Sequence, residues 1–316
     1  MQYHLDGVLT GDPSVSKPEV SRLDDTDPID VLIVGCGPAG LTLATQLTVF
    51  PELKVRITDK RSGPLKIGQA DGIACRSIEM FEAFGFAEKV LKEAYWVNEV
   101  AFWRPDEAGT GLRRANRIQD VEDDLSEMPH VILSQARVHD FYLDLMHKSA
   151  SCLQPDYEFE LVDVSKSGDP DGLVTATFNC PNGEVEVIRA RYIVGCDGAR
   201  SMVRELMGHA LKGASARQLW GVMDVLAVTD FPDIRLKSAV QSPENGSVLI
   251  IPREGGYLVR MYIELDSLRG DERAADRGVT FDMLIAKACD ILAPYTLDVK
   301  EVAWWSAYEI GQRVCD

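Results

Sequence analysis

The sequence has 316 residues, an apolar fraction of 46% and a formal net charge of −17 at pH 7. That length supports a large core and more than one domain. The negative charge argues against nucleic acid or an anionic membrane surface as a partner, because both require a basic face. No apolar run is long enough to span a bilayer and the amino terminus lacks a secretory pattern, so we expect a cytoplasmic protein.

Cysteine and histidine usage gives no indication of disulfides or metal. The five histidines have no metal-ligand spacing, so no metal site is expected. The seven cysteines are scattered, odd in number and free of any C-x-x-C pair, which is typical of reduced, mostly buried thiols. They are Cys36, Cys75, Cys152, Cys180, Cys196, Cys289 and Cys315.

The strongest motif follows a predicted amino-terminal arm of residues 1–28, which has little periodicity. Residues 30–40 read D-V-L-I-V-G-C-G-P-A-G, an aliphatic strand leading into G-x-G-x-x-G and an apolar helical pattern. Gly35 would permit a sharp turn, Gly37 a close approach to a pyrophosphate, and Gly40 close packing of helix on strand. Asp59 follows Gly40 by 19 residues, where a carboxylate is expected. The stretch therefore predicts a dinucleotide site, without separating FAD from NAD.

The middle of the chain alternates between strand and helix patterns. Residues 67–76 read I-G-Q-A-D-G-I-A-C-R, and the two glycines around Asp71 indicate a special backbone path before a helix over 77–84. Strands are predicted over 97–103, 157–164, 173–178 and 185–189, with Asn182-Gly183 as a hairpin turn. A strand-to-helix unit is predicted over 131–148, and an apolar strand over 191–198 precedes a helix over 201–207.

Beyond about residue 217 the pattern becomes mostly β. Strands are predicted over 219–228, 247–252, 257–265 and 299–308, and a helix over 281–292. The order of elements predicts an α/β first part and an α+β second part.

Four motifs, taken in order, resemble the FAD-dependent aromatic hydroxylases, and within them the phenol 2-monooxygenase and 3-hydroxybenzoate 4-monooxygenase branch. They are the glycine fingerprint with Asp59, the block at 67–76, D-G-A-R-S at 197–201, and I-P-R-E at 251–254 with V-R-M-Y at 259–262. The resemblance covers nearly all of residues 30–316. It implies a Rossmann-like FAD-binding domain (29–212) and an incomplete β-sheet substrate domain (213–316), as in p-hydroxybenzoate hydroxylase-like flavoproteins.

The resemblance also implies roles in cofactor binding. The glycines would hold the FAD pyrophosphate and Asp59 the adenosine ribose, while Gln69 would line the flavin ring and Gln135 would reach the ribityl chain. Asp197 is associated in this family with the pyrophosphate and with transient NADPH binding. The complete predicted set is Gly35, Gly37, Pro38, Ala39, Gly40, Asp59, Lys60, Arg61, Gln69, Arg76, Gln135 and Asp197.

The implied reaction reduces FAD with NADPH, forms a flavin hydroperoxide with O2 and transfers oxygen to a small phenolic substrate. A phenol has a pKa of about 10, so the site must favour the phenolate. The resemblance places Asp71, Arg253 and Tyr262 at the positions that would meet the aromatic substrate. Arg253 would stabilise the negative charge, Tyr262 would hydrogen-bond the substrate hydroxyl, and Asp71 would relay a proton.

These side chains also have ordinary structural interpretations. Arg253 and Arg260 resemble surface charges of a strand, and for Arg260 we favour that interpretation. Tyr262 is interpretable as a core tyrosine and Asp71 as a turn former. A structural role is also favoured for His130, Trp304 and Trp305. Of these three, His130 is a weaker candidate for the pocket wall.

The family pattern continues with a Gly-Asp motif before a helix that faces the flavin. Here Gly11-Asp12 and Gly270-Asp271 stand in other contexts, so we expect the amino-terminal part of a longer enzyme. Two alternatives stay open: a flavoprotein epoxidase or reductase of the same architecture, and a truncated, non-catalytic FAD-binding fragment. A homodimer is an expectation for the full-length protein, whereas the substrate, the hydroxylated position and the choice between NADH and NADPH are open.

Overall fold

The computed structural model describes residues 2–4, 7–9, 28–68, 70–166, 172–267 and 277–316. Gln69, most of the predicted arm, Gly11-Asp12 and Gly270-Asp271 lie outside these residues. The chain divides into two compact units that are discontinuous in sequence. Residues 1–66 and 136–210 form the first unit, and residues 67–135 and 211–316 form the second. The stretch 67–135 thus packs with the second unit, although the predicted FAD-binding domain includes it; the functional domain boundaries stay a prediction.

Helices and strands are numbered in chain order. The amino-terminal elements are β1 (Gln2–His4), β2 (Gly7–Leu9), β3 (Ile29–Val34), α1 (Pro38–Leu47), β4 (Val55–Asp59), β5 (Gly72–Ile73), α2 (Cys75–Ala83), α3 (Ala87–Glu93), β6 (Tyr95–Trp96), β7 (Glu99–Pro105), β8 (Leu112–Gln119) and β9 (Val131–Ile132). The central elements are α4 (Gln135–Lys148), β10 (Asp156–Tyr157), β11 (Glu160–Lys166), β12 (Val174–Asn179), a 3-10 turn (Pro181–Gly183), β13 (Val185–Gly195) and α5 (Met202–Leu206). The carboxyl-terminal elements are β14 (Leu211–Thr229), β15 (Lys237–Gln241), β16 (Ser247–Pro252), β17 (Val259–Glu264), α6 (Phe281–Leu292) and β18 (Leu297–Cys315).

The main sheet of the first unit has the strand order β10-β4-β3-β13-β12-β11. β3 is parallel to both β4 and β13, so the carboxyl ends of these three strands share one edge of the sheet. α1 connects β3 to β4, as in a βαβ unit. Because ligands of such sheets bind at the carboxyl ends of parallel strands, this edge is where the glycine motif is expected to act.

Two predicted boundaries in the first unit are wrong. The strands predicted over 185–189 and 191–198 are one strand, β13, which pairs antiparallel with β12 and parallel with β3. The strand predicted over 157–164 is interrupted, because Glu158 adopts a left-handed φ of 64° between β10 and β11. The predicted hairpin turn is confirmed by the hydrogen bond from the Cys180 amide to the Glu184 carbonyl, 2.8 Å long.

The main sheet of the second unit has the order β18-β14-β17-β16-β15-β7-β8. One face packs on α6, whose first turn is capped by the Thr280 side chain. Gly221 is required there, since a Cβ at this position would lie 2.2 Å from a methyl group of Leu284. The buried residues of this face include Met223, Val225, Ile250, Met261, Ile263, Leu284 and Ile291.

Alternation along the strands places a second set of side chains on the opposite face. On that face lies the small sheet β5-β9-β6. Ile132 of β9 and Val97, which directly follows β6, pack with Ile251 and the partly buried Tyr262. The predictions missed the short strands β1, β2, β5 and β6, and also β8, β15 and α3. β8 is charged and exposed beyond its first residue, so it lacks a clear apolar alternation. Within the described ranges, no helix is both long and apolar enough to cross a membrane.

Candidate functional site

The first-unit glycine turn, residues 35–40, joins β3 to α1. Gly35 has a φ of +108°, and a Cβ there would lie 2.4 Å from the carbonyl oxygen of Cys196. A Cβ at Gly40 would lie 1.9 Å from the carbonyl oxygen of Gly35. At Gly37 the nearest atom would be 3.8 Å away. The first and last glycines are therefore required by the fold, whereas the middle one leaves its backbone open.

The open part of the turn leads directly into the start of α1. Pro38 and Ala39 are exposed, and Pro38 occupies the first helical turn, where its missing N–H costs nothing. Gly37, at the N-cap, supplies no side-chain acceptor for the helix amides. Accessible backbone with a helix amino terminus fits an anionic group such as a pyrophosphate. The contact itself stays a prediction.

Asp59 is held in place at the end of β4, next to the glycine turn. Its carboxylate accepts hydrogen bonds from the Cys36 amide (2.7 Å) and from the Arg61 guanidinium (2.8 and 2.9 Å). Arg61 also donates to the Cys36 carbonyl, at 3.0 Å. Burial alone would raise the pKa of Asp59, but these hydrogen bonds outweigh burial and hold the pKa below its usual value. The side chain is therefore an ionised, oriented carboxylate, which suits ribose hydroxyl groups.

Asp197 follows β13 at the same sheet edge, and its carboxylate has a structural task. It accepts hydrogen bonds from the Ser201 hydroxyl (2.5 Å) and from the backbone amides of Met202 (2.6 Å) and Val203 (3.1 Å). The carboxylate thus satisfies the first amides of α5. The contact of Asp197 with FAD or NADPH stays a prediction.

The remaining cofactor candidates differ in environment. Lys60 is exposed in the first unit, and Arg76 is exposed in the second with its Nε 3.9 Å from Glu79. Gln135 is partly buried at the start of α4, and its Oε1 accepts from the Ala70 amide at 3.5 Å. A Cβ at Gly68 would lie 2.3 Å from the Gln135 Cβ, so the absence of a side chain at Gly68 permits its close approach to Gln135.

A buried histidine on α4 was not predicted from the sequence. His139 is 2% exposed, and its Nε2 has no hydrogen-bond partner among the described residues. Burial, together with the charge of Arg61, lowers its pKa to about 4. The imidazole is therefore neutral near pH 7. The sequence signal was weak, because a histidine on the apolar side of a helix is usually structural.

In the second unit, charged residues occupy the sheet face opposite α6. Asp224 on β14 stands directly across from Arg260 on β17 and from Trp304 on β18. Arg260 is fully buried, donates to both Asp224 oxygens at 2.6 and 2.7 Å, and lies with its guanidinium carbon 5.0 Å from the Trp304 ring centroid. The interpretation of Arg260 as a surface charge is wrong.

Arg253, just after β16, joins the same group. Its Nη1 donates to Asp224 at 2.8 Å, and its Nε and Nη2 donate to the two Glu254 oxygens at 2.9 and 2.8 Å. Arg253 is 5% exposed, so the surface interpretation fails for it as well. We call Asp71, Asp224, Arg253, Glu254 and Arg260 the ion cluster.

Asp71 completes the ion cluster with a less satisfied carboxyl group. Its Oδ2 lies 3.2 Å from Arg260 Nη1 and 3.4 Å from Arg253 Nη1. Neither approach has hydrogen-bond geometry, and this buried oxygen has no hydrogen-bond partner among the described residues. Burial raises the pKa of Asp71 above its usual value despite the two arginines. Asp71 is thus more than a turn former.

Tyr262 lies two residues beyond Arg260 on β17 and is partly buried. Burial and the nearby Asp71 charge raise its pKa, while the hydrogen bond and charge of Arg260 oppose that change. The phenol group is therefore protonated near neutral pH and is available as a hydrogen-bond donor. The structure brings together all three predicted catalytic residues, Asp71, Arg253 and Tyr262, within this unit.

His130 is paired within a separate polar group of the second unit. Its Nδ1 lies 2.6 Å from Asp120, and Lys237 Nζ lies 2.8 Å from the other Asp120 oxygen. Burial would raise the pKa of Asp120, but Lys237 and His130 together lower it. This pairing agrees with the structural role favoured for His130.

Asp224 is a site residue of the second unit that the sequence interpretation missed. It is the one charged residue in the otherwise apolar run from Leu219 to Val228. Because side chains alternate along a strand, Asp224 lies on the same face as Val222, whereas Met223 and Val225 lie on the face that packs on α6. A charged residue within an apolar strand indicates a buried partner of opposite charge. Which residue is that partner became clear only from the strand register.

Comparisons with known proteins agree with this architecture. A family model described as "FAD binding domain" matches residues 28–316. The chain is 56% identical to a 3-hydroxybenzoate 4-monooxygenase of Comamonas testosteroni over its whole length, and 35% identical to a phenol 2-monooxygenase of Aspergillus fumigatus over 92% of it. It covers 51% and 48% of those two proteins, so it spans about half of their length.

Solved structures show the same fold at low identity. A p-nitrophenol 4-monooxygenase of Pseudomonas putida has a TM-score of 0.74 and 20% identity, over 91% of this chain and 69% of its own. The flavin-dependent monooxygenase PieE, solved with FAD and substrate, has a TM-score of 0.72 and 20% identity, over 92% of this chain and 51% of its own. These similarities confirm the predicted Rossmann-like and β-sheet architecture.

Proposed function

The chain belongs to the FAD binding domain family, and from that membership we propose that it is part of a monooxygenase that hydroxylates a small phenolic ring with NADPH and O2. The observation that carries the proposal is the ion cluster beside Tyr262 on one sheet face of the second unit. Two buried guanidinium groups and a phenol donor match the chemistry that a phenolic oxygen requires. The 56% identity to a 3-hydroxybenzoate 4-monooxygenase supports the same substrate class.

The first unit would hold the adenosine and pyrophosphate portion of FAD. The backbone of Gly37, Pro38 and Ala39 would meet the pyrophosphate, and Asp59 would accept from the ribose hydroxyl groups. When bound, FAD supplies electron transfer from NADPH and the activation of O2. The protein residues supply binding, orientation and charge.

The second unit would bind the phenolic ring and stabilise its anion. A free phenol has a pKa of about 10, and a guanidinium group nearby favours the ionised form. Arg253 would provide that charge, and Tyr262 would donate a hydrogen bond to the ring oxygen. Because Arg253 and Asp71 are each 5% exposed, their interactions act in a weakly screened environment.

The proposal is tested by NADPH oxidation in the full-length, FAD-loaded protein. The substrates are phenol, 3-hydroxybenzoate and 4-hydroxybenzoate, with benzoate as a matched control that lacks the hydroxyl group. We expect at least one hydroxylated ring to stimulate NADPH oxidation and to yield a product with oxygen from O2. Stimulation by none of them would refute the proposal and favour another reaction on the same fold.

The role of Tyr262 is tested by Tyr262→Phe. Loss of the hydrogen bond to the ring oxygen should lower product formation by about 10²-fold, with a much smaller effect on NADPH oxidation. Tyr257→Phe is the matched control, because Tyr257 is 76% exposed in the same unit. Equal losses of product formation and NADPH oxidation in Tyr262→Phe would count against the assigned role.

A further inference from the structure

The ion cluster contains more acidic than basic groups. Asp71, Asp224 and Glu254 supply three carboxyl groups, whereas Arg253 and Arg260 supply two guanidinium groups. If every group were ionised, the cluster would carry one negative charge in excess. The Glu254 side chain is 23% exposed, so its charge is partly solvated, whereas the Asp71 and Asp224 side chains are 5% and 10% exposed. Burying an uncompensated charge is costly, so a proton on one of these two buried carboxyl groups is favoured.

The hydrogen bonds identify which carboxyl groups are committed to the arginines. Asp224 accepts three guanidinium hydrogen bonds, two from Arg260 at 2.6 and 2.7 Å and one from Arg253 at 2.8 Å. Glu254 accepts two from Arg253 and a third from the Ser134 amide, at 3.1 Å. Protonating Asp224 or Glu254 would disrupt charge-assisted hydrogen bonds, which are stronger than hydrogen bonds between neutral groups.

Asp71 differs from both of these acids. It is 5% exposed, and the same two arginines approach its Oδ2 only at 3.2 and 3.4 Å, without hydrogen-bond geometry. A proton on this oxygen would disrupt no hydrogen bond in the described structure. It would also remove the excess negative charge of the cluster.

We propose that Asp224 is a positioning residue that engages both buried arginines and thereby leaves Asp71 as the carboxyl group that holds a proton in the folded protein. Burial and the charges of Asp224 and Glu254 raise the pKa of Asp71, against the opposing effect of Arg260 and Arg253. Tyr262 also lies near Asp71, and its phenol group is itself neutral near pH 7.

The consequence for ligand binding rests on the proposed function. A neutral Asp71 donates a hydrogen bond instead of only accepting one. With that proton the ion cluster is neutral overall, so an anionic ring oxygen beside it meets no net negative charge. Without it the cluster would repel the phenolate that it is proposed to stabilise.

The direct test is infrared spectroscopy of the FAD-loaded protein without substrate, with aspartate isotope-labelled at the side-chain carboxyl. We expect a protonated-carboxyl absorption near neutral pH that is absent from Asp71→Asn. In Asp224→Asn the same absorption should disappear at a lower pH than in the wild type, because the excess acid is gone and the arginines become available to Asp71. Absence of the absorption in the wild type, or an unchanged titration in Asp224→Asn, would overturn the proposal.

Unfolding measurements provide a second test that does not require a spectroscopic signal. A proton bound more tightly in the folded state stabilises the protein at low pH, and this contribution is lost as pH rises through the folded-state pKa. Asp71→Asn, which mimics the protonated acid, should abolish that decline while changing stability little at low pH. A loss of stability in Asp71→Asn that is large at neutral pH and shrinks as pH falls would indicate an ionised, paired Asp71 and would contradict the proposal.

Asp233→Asn is the matched control for the unfolding test. Asp233 is also buried in the second unit, but it accepts from Arg114 at 2.5 and 2.7 Å and from the Trp103 indole at 2.8 Å. Its replacement should destabilise the protein near neutral pH far more than Asp71→Asn does. Both tests are made without substrate, so a protein with the expected absorption that hydroxylates no phenol would refute only the proposed function.

Discussion

The two candidate sites differ in the kind of atoms that form them, backbone in the first unit and side chains in the second. The first-unit site consists of accessible backbone around Gly37, backed by one oriented carboxylate, Asp59. The second-unit site consists of charged side chains, most of them buried, on neighbouring strands and in the segments beside strand ends, with Arg260 fully buried. A backbone site depends on residues that are small and correctly spaced along the chain. A side-chain site depends on strand register, so its members are far apart in sequence.

This contrast predicts different responses to mutation. In the first unit, substitutions should act mainly by blocking space, and neighbouring glycines should differ sharply. In the second unit, substitutions should change stability by removing a charge. The size of the change should depend on which oppositely charged partner then remains buried without compensation.

The largest effect is expected for Gly40→Ala in the glycine turn. The new Cβ would lie 1.9 Å from the Gly35 carbonyl oxygen and 3.2 Å from the Cys196 Cβ, so backbone must move. We expect a loss of more than about 4 kcal/mol in the free energy of unfolding, measured by denaturant titration.

Gly37→Ala is the matched control for Gly40→Ala. The nearest described atom, the Cys196 carbonyl oxygen, would lie 3.8 Å from its Cβ, so stability should change by about 1 kcal/mol or less. FAD affinity should nevertheless fall, because the methyl group would stand where the pyrophosphate is proposed to approach. Unchanged FAD affinity in this stably folded variant would remove Gly37 from the cofactor site.

The next largest effect is expected for Arg260→Met in the ion cluster. This change keeps most of the side-chain volume but leaves the buried Asp224 and Asp71 with less compensation. The expected loss of unfolding free energy is about 3–5 kcal/mol. Arg104→Met, at an exposed position of β7, should change stability by no more than about 0.5 kcal/mol. Similar values for the two variants would show that the buried charge of Arg260 contributes nothing to stability.

A smaller, pH-dependent effect is expected for Asp59→Asn. Because the folded-state pKa of Asp59 is lowered, its ionised form stabilises the protein above the unfolded-state pKa of about 3.9. That contribution is lost as pH falls through the still lower folded-state pKa. The variant should therefore be less stable at neutral pH and show a shallower loss of stability on acidification. Parallel pH profiles for variant and wild type, from thermal unfolding, would contradict this assignment.

Local sequence patterns predicted elements that carry one clear apolar period. The strand over 247–252 and the helix over 281–292 have the predicted bounds. The patterns failed where tertiary packing decides. β14 and β18 extend well beyond the predicted strands, because each pairs along most of its length with the other. β8 was missed because its side chains beyond the first are exposed.

By itself, the sequence determined the glycine turn with its following carboxylate, because backbone conformation and close packing restrict those positions to particular residue types within one short segment. It also determined the four ordered motifs that place the chain in its family. Only the tertiary structure decided that Arg260 is buried, that Asp224 joins it to Arg253, and that one Asp71 oxygen has no hydrogen-bond partner in the described part of the chain. Those facts depend on the pairing of strands distant in sequence, and a buried charge and a surface charge have the same residue letter until that pairing is known.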